Sequence, residues 1–139
     1  MACIGIFDSG SGGLSVLKEF LRVLPGEHFI YYSDDGHCPY GNKSTEYILE
    51  RSKSIAKELI EDGAQVIVIA CNTATAASIK TLRQDWPEIP FIGMEPAVKP
   101  AAALSESGVV GVLATESTLH AEKYIRTREK YSSGVKVVE

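Results

Sequence analysis

An α/β fold is predicted for this 139-residue chain, built on a parallel sheet with helices on both faces. Two observations predict it, and the composition adds that the chain is globular. Short β-rich runs alternate with longer helical patterns along the whole chain, as a wound parallel sheet requires. The most apolar run, Val66 to Ala70, shows no polar alternation, as expected of a central strand covered on both sides. Hydrophobic residues make up 45% and charged residues 23%, the balance of a globular protein. A chain of this length buries roughly two-thirds of its unfolded surface, so one core needs neither metal nor disulfide. A single domain over residues 1–139 is the expectation.

The elements follow in order. Cys3 to Phe7 reads as a buried strand, and Leu14, Leu17, Phe20, Leu21 and Leu24 recur at helical spacing until Pro25-Gly26 stops them. His28 to Ser33 is a second strand, followed by a polar loop through Gly41. Ser44 or Thr45 can cap a long helix with Ile48, Ser52, Ile55, Ala56, Leu59 and Ile60 on its inner face, ended by Asp62-Gly63. After the Val66 strand, Thr73 to Trp86 reads as a helix that ends before Pro87. Phe91 to Gly93, Val109 to Ala114 and Val135 to Val138 are three more strands, with helical stretches near Val98 to Ser107 and Thr118 to Lys130 between them. The chain stops at Glu139 directly after a strand, which reads as an unfinished α/β unit.

Charge and composition narrow the function. The net charge is −4 and no basic run exists, which argues against nucleic acid as a partner. No apolar stretch reaches bilayer-spanning length, and the first residues lack the pattern of a secretory signal, so no membrane is expected and cytoplasm is the default. Cys3, Cys38 and Cys71 are odd in number and far apart, against both a disulfide framework and a metal site. His28, His37 and His120 are equally dispersed and read as surface or loop residues.

Ligands of a wound parallel sheet bind beyond the carboxyl ends of its strands, so the strand ends are where chemistry is sought. The first strand runs into Asp8-Ser9-Gly10-Ser11-Gly12-Gly13. Three glycines before a helix can cradle a carboxylate or phosphate, or simply make the turn. A dinucleotide fingerprint fits poorly, because Ser15 stands where its third Gly belongs, although Asp34 is placed for a ribose contact. The second strand leads into Asp34 to Ser44, where Asn42 spoils a phosphate-loop reading. The third ends in Ala70-Cys71-Asn72-Thr73, placing a cysteine at the start of a helix, where unpaired N–H groups favour a thiolate. That position points to reactivity, whereas Cys3 reads as packing and Cys38 as a loop residue. No histidine lies in a strand-end motif beside Cys71, which disfavours a hydrolase. Asp8, Ser9, Tyr40, Cys71, Asn72, Thr73 and Thr118 are expected to line one rim.

These stretches together resemble the aspartate/glutamate racemase family, in particular its glutamate-acting members. Phe7-Asp8-Ser9-Gly10 with Gly12-Gly13-Leu14, Cys38-Pro39-Tyr40-Gly41 and Ala70-Cys71-Asn72-Thr73-Ala74 are similar to its motifs, as are Gly93-Met94-Glu95-Pro96 and Gly111-Val112-Leu113-Ala114-Thr115. The resemblance implies interconversion of L- and D-glutamate by two thiols, without pyridoxal phosphate or metal, to supply D-glutamate for peptidoglycan. It implies that Cys71 is one of the two thiols, with Asp8 near it and beside the substrate ammonium. Ser9, Tyr40, Gly41, Asn72, Thr73 and Thr118 would hold the substrate's charged groups, partly through backbone amides. The family places its substrate between two similar halves, and its second cysteine lies in a Cys-Thr-His stretch that this sequence does not contain. The chain is therefore expected to be the amino-terminal half, completed by a carboxyl-terminal half or by a second copy in a homodimer. Asp35 departs from the uncharged residue usual at its loop position. A non-catalytic module that binds an acidic amino acid, and a nucleotide-binding domain using the Gly10–Gly13 turn, are the competing readings.

Overall fold

The computed structural model describes all 139 residues and separates into two compact units, Met1–Met94 and Glu95–Glu139. Each is described by itself.

The first unit holds four parallel strands in the order β2-β1-β3-β4: β1 (Cys3–Asp8), β2 (His28–Ser33), β3 (Val66–Ile69) and β4 (Phe91–Gly93). Asp8 pairs in register with Ser33, Phe7 with Ile69, and Ile69 with Gly93, so the four carboxyl ends lie along one edge. Strand alternation divides the residues between two cores. Phe7, Ile67 and Ile69 point to one face and pack with α2 (Thr45–Glu61) and α3 (Asn72–Asp85) through Ile48, Ile55, Leu59 and Leu82. Ile4, Ile6 and Val68 point to the other face and meet Val16, Leu17 and Phe20 of α1 (Leu14–Val23). Helices therefore cover both faces of this sheet.

The expected inner face of α2 is buried at Ile48, Ser52, Ile55, Ala56 and Leu59, and Ser44 caps the helix by accepting the Tyr47 N–H at 3.2 Å. The apolar stripe of α1 behaves differently. Leu17 and Phe20 pack inward, but Leu14, Leu21 and Leu24 are exposed, so helical spacing alone overstated what the sheet covers. Close packing of α2 on the sheet explains Gly5, where an added Cβ would lie 3.1 Å from both Ala64 Cβ and Leu59 Cδ1.

The second unit pairs β5 (Val109–Gly111) with β6 (Lys136–Val138), again in parallel. Around them lie α4 (Val98–Leu104), α5 (Glu116–Leu119) and α6 (Glu122–Tyr131). Val98, Val110, Val112 and Tyr124 form its core. The single helix expected from Thr118 to Lys130 is two, because the chain turns at His120-Ala121 between α5 and α6. The strand expected to reach Ala114 ends at Gly111. No helix in either unit is long and apolar enough to cross a membrane.

Candidate active site

The site is built on the carboxyl edge of the first unit's sheet, where β1 and β3 end side by side. Asp8 closes β1 and is buried, 6% exposed. The turn after it folds back over the carboxylate: Ser9 N–H donates to Oδ1 at 2.8 Å and Gly13 N–H donates to Oδ2 at 2.7 Å. Gly13 must be glycine, since an added Cβ would lie 2.8 Å from Asp8 Cβ, 3.0 Å from Ala70 Cβ and 3.1 Å from the Tyr31 hydroxyl. The Gly13 amide therefore serves the chain's own carboxylate and is not offered to a ligand anion.

Cys71 follows β3 and is the N-cap residue of α3. Its sulfur accepts the Ala74 N–H at 3.4 Å and lies 3.6 Å from Ser9 Oγ. The extended backbone of Cys71, φ −134° and ψ 123°, turns the thiol back over the first helical amides. The sulfur thus accepts from the Ala74 N–H and, as a thiol, points its own hydrogen toward Ser9 Oγ. Ser9 thus links the two strand ends, with its amide on Asp8 and its hydroxyl toward Cys71. Asn72 beside the thiol is exposed and Thr73 is buried.

The loop after β2 forms two 3-10 turns, Asp35–His37 and Tyr40–Asn42, joined through a cis peptide between Cys38 and Pro39. The second turn packs against α3. Tyr40 is 2% exposed, while Gly41 is open to solvent. The Tyr40 hydroxyl donates to Asp34 Oδ2 at 2.6 Å. Burial, and next the hydrogen bond to the Asp34 carboxylate, push the Tyr40 phenol well above its ordinary range. The Tyr40 carbonyl accepts the Lys43 N–H at 3.0 Å, which closes the second turn.

Asp34 itself is 3% exposed and surrounded by donors. Arg51 of α2 approaches it through Nε at 3.1 Å and a terminal nitrogen at 2.6 Å, and His37 Nδ1 lies at 3.0 Å. Burial opposes the charge on Asp34, but the hydrogen bonds from Arg51, Tyr40 and His37 outweigh it and hold the carboxyl below its usual range. The Asp34 bond raises the Arg51 guanidinium in turn. With its oxygens engaged, Asp34 is not free for a ribose hydroxyl, which removes the main support for the dinucleotide reading. Sequence reasoning gave Arg51 no role, and no local signal marks it, since it sits on α2 beside the buried Ser52 like any flanking charge.

Asp35 is exposed, with a carboxylate oxygen 3.5 Å from the position a Gly10 Cβ would occupy. Tyr31 and Ser33 both donate to the Gly10 carbonyl, at 3.0 Å and 2.8 Å, and so pin the turn to β2. Burial, and then the charges of Asp8 and Asp35, raise the Tyr31 phenol. At the far end of the edge, Met94 N–H donates to Thr75 Oγ1 at 3.0 Å, tying the end of β4 to α3.

The first unit thus gathers Asp8, Ser9, Tyr40, Gly41, Cys71, Asn72 and Thr73 at one sheet edge. Thr118 belongs to the second unit, where it is buried in α5 with Oγ1 3.1 Å from Thr115 Oγ1.

Known proteins resemble this chain over nearly its whole length. A family profile for Asp/Glu/Hydantoin racemases matches residues 4–138. A glutamate racemase of Ectopseudomonas mendocina is 53% identical over 137 residues, 99% of this chain and 52% of that protein. One from Pseudomonas aeruginosa is 51% identical over 98% of this chain. Among solved structures, Escherichia coli glutamate racemase, crystallised with L-glutamate and the activator UDP-MurNAc-Ala, superposes with a TM-score of 0.89 at 37% identity, over 98% of this chain and 51% of that one. The Francisella tularensis glutamate racemase, solved with D-glutamate, gives 0.77 at 34% identity over 98% of this chain. The chain spans about half the length of the curated relatives it matches.

Proposed function

The chain belongs to the Asp/Glu/hydantoin racemase family, and on that premise we propose that it is the amino-terminal half of a cytoplasmic, cofactor-independent glutamate racemase supplying D-glutamate for peptidoglycan. The observation that carries this reading is the thiol of Cys71 at the head of α3, with the Ala74 N–H on its sulfur and Ser9 Oγ beside it.

Racemisation removes the α-proton from one face of the amino acid and returns a proton to the other, so it needs two acid/base groups on opposite sides. Cys71 serves one face. As thiolate it takes the proton, and as thiol it gives one back in the reverse direction. Asp8 sets a fixed negative charge near the substrate ammonium, while Ser9, Asn72 and Thr73 bind its polar groups beside the thiol. Gly41 and Tyr40 contribute backbone amides from the loop after β2, and family resemblance adds Thr118. The second thiol comes from a carboxyl-terminal half or from a partner chain. Residues 1–139 are proposed as one racemase half, in keeping with their alignment across 98% of the chain to half of the Escherichia coli enzyme.

Circular dichroism of L-glutamate tests this. The chain alone is expected to show little or no racemisation, and the carboxyl-terminal half of the Ectopseudomonas mendocina relative is expected to restore some, lost again with Cys71→Ser. Calorimetric titration should detect weak binding of a glutamate enantiomer. Clear NAD or ATP binding with none for glutamate would overturn the assignment.

A further inference from the structure

Asp34 is a buried carboxylate that takes no part in the proposed proton transfer. A charge removed from water is costly unless it is paired and its lone pairs are satisfied, and here the pairing is elaborate. Arg51 donates to both oxygens, one guanidinium nitrogen to each, at 3.1 Å and 2.6 Å. Tyr40 O–H occupies Oδ2 at 2.6 Å and His37 lies at 3.0 Å from Oδ1. The Asp34 amide also donates to the Asp8 carbonyl at 2.9 Å, so the same residue is tied to the end of β1.

The network joins pieces distant in sequence. It connects the end of β2 (Asp34), the rim turn (Tyr40) and the second turn of α2 (Arg51). The Tyr40 side chain lies in the core cluster against which Cys71 packs. Tyr40 therefore has its hydroxyl clamped on one side and its turn packed on α3 on the other. Gly41, next in the turn, is exposed at the rim.

We propose that Asp34 and Arg51 are positioning residues: through the Tyr40 hydroxyl, the buried Asp34 carboxylate and its partly exposed Arg51 partner hold the Tyr40–Gly41 turn in the place beside Cys71 from which it meets an amino-acid ligand. The proposal rests on the glutamate reading of the rim. Neither Asp34 nor Arg51 touches the ligand. Arg51 has no simple substitute, because a lysine supplies a single point of charge where the guanidinium fork meets both oxygens. Tyr40 transmits the constraint through one hydroxyl, so Tyr40→Phe isolates that link while keeping the ring in the core.

The test compares Arg51→Met, Arg51→Lys and Tyr40→Phe in the 139-residue chain, each first checked for folding by far-ultraviolet circular dichroism. Amide hydrogen exchange is followed in peptides covering the loop from Asp35 to Lys43 and, separately, in β1 and β3. In the same preparations, alkylation of Cys71 by iodoacetamide is timed with increasing D- or L-glutamate. Loss of a charge-assisted anchor is expected to speed exchange in the loop roughly tenfold for Arg51→Met and Tyr40→Phe, with β1 and β3 unchanged. The glutamate concentration that halves alkylation should rise by a similar factor, while alkylation without glutamate changes little for Arg51→Met. Arg51→Lys should fall between. Unchanged loop exchange in both Arg51→Met and Tyr40→Phe, or an equal rise in β1 and β3, overturns the positioning role. If glutamate does not slow alkylation even in the unsubstituted chain, while loop exchange still splits as described, the glutamate reading is what has failed.

Discussion

Replacing Gly13 by alanine is the sharpest test of how the site is built. The added methyl would sit 2.8 Å from Asp8 Cβ, 3.0 Å from Ala70 Cβ and 3.1 Å from the Tyr31 hydroxyl. Two of these neighbours are Cβ atoms fixed to adjacent strand ends, so relief requires backbone movement. Overpacking of this kind costs about 1–3 kcal/mol. Moving the turn also breaks or lengthens the 2.7 Å bond from Gly13 N–H to the buried Asp8 carboxylate, and a hydrogen bond to a charged group contributes about 1.5–3 kcal/mol. The two losses share one displacement and do not add fully, which leaves about 3–5 kcal/mol. That is a large share of the roughly 5–15 kcal/mol that holds a domain folded, and it corresponds to a fall in Tm of roughly 10–20 °C. Gly12→Ala is the matched control. Its methyl would meet only Asp8 Oδ2, at an ordinary 3.5 Å, and the substitution should change stability by less than about 1 kcal/mol. Urea and thermal unfolding of both variants, followed by circular dichroism, provide the comparison. Equal effects from the two, or a loss below about 1 kcal/mol for Gly13→Ala, would refute the claim that the turn is wrapped tightly around Asp8.

Two further outcomes follow from buried polar groups. Ser52 is fully buried on α2 and its hydroxyl has no partner. Ser52→Ala should therefore leave stability unchanged or raise it by about 1 kcal/mol, and a loss of that size in urea unfolding would mean that the hydroxyl is satisfied. Asp34 titrates below the ordinary carboxylate range when folded because Arg51, Tyr40 and His37 overcome its burial. Its contribution is thus complete above the unfolded pKa and is lost as pH falls through that value toward the folded one. Asp34→Asn should consequently cost stability near neutral pH and progressively less as the solution is acidified below the usual carboxylate range. A gap that stays constant or widens on acidification would contradict the assignment.

Much of the fold was legible in the residues themselves. Strands and helices follow from short-range periodicity and stop signals: the apolar run Val66 to Ala70 with β3 at Val66–Ile69, the Ser44 cap, and the inner face of α2 all match the structure. The candidate rim was legible for a similar reason. Parallel strands end along one edge, and the order of motifs along the chain placed Asp8 and Cys71 at the ends of strands that pair. Helical spacing failed at α1, where Leu14 and Leu21 stay exposed, because periodicity states which residues share a face and not how much of it another element covers.

Sequence by itself therefore determined the α/β class, the strand-end positions of Asp8 and Cys71 and the thiol at the head of a helix. Each of these depends on interactions a few residues long, which recur wherever the local pattern recurs. Only tertiary structure decided that Gly13 gives its amide to Asp8, that Tyr40 spends its hydroxyl on Asp34, and that Arg51 of α2 completes that pair. Nothing in the local pattern specifies these contacts. They are selected because a carboxylate taken out of water must find donors, and which donors reach it depends on how β1, β2 and α2 meet in space.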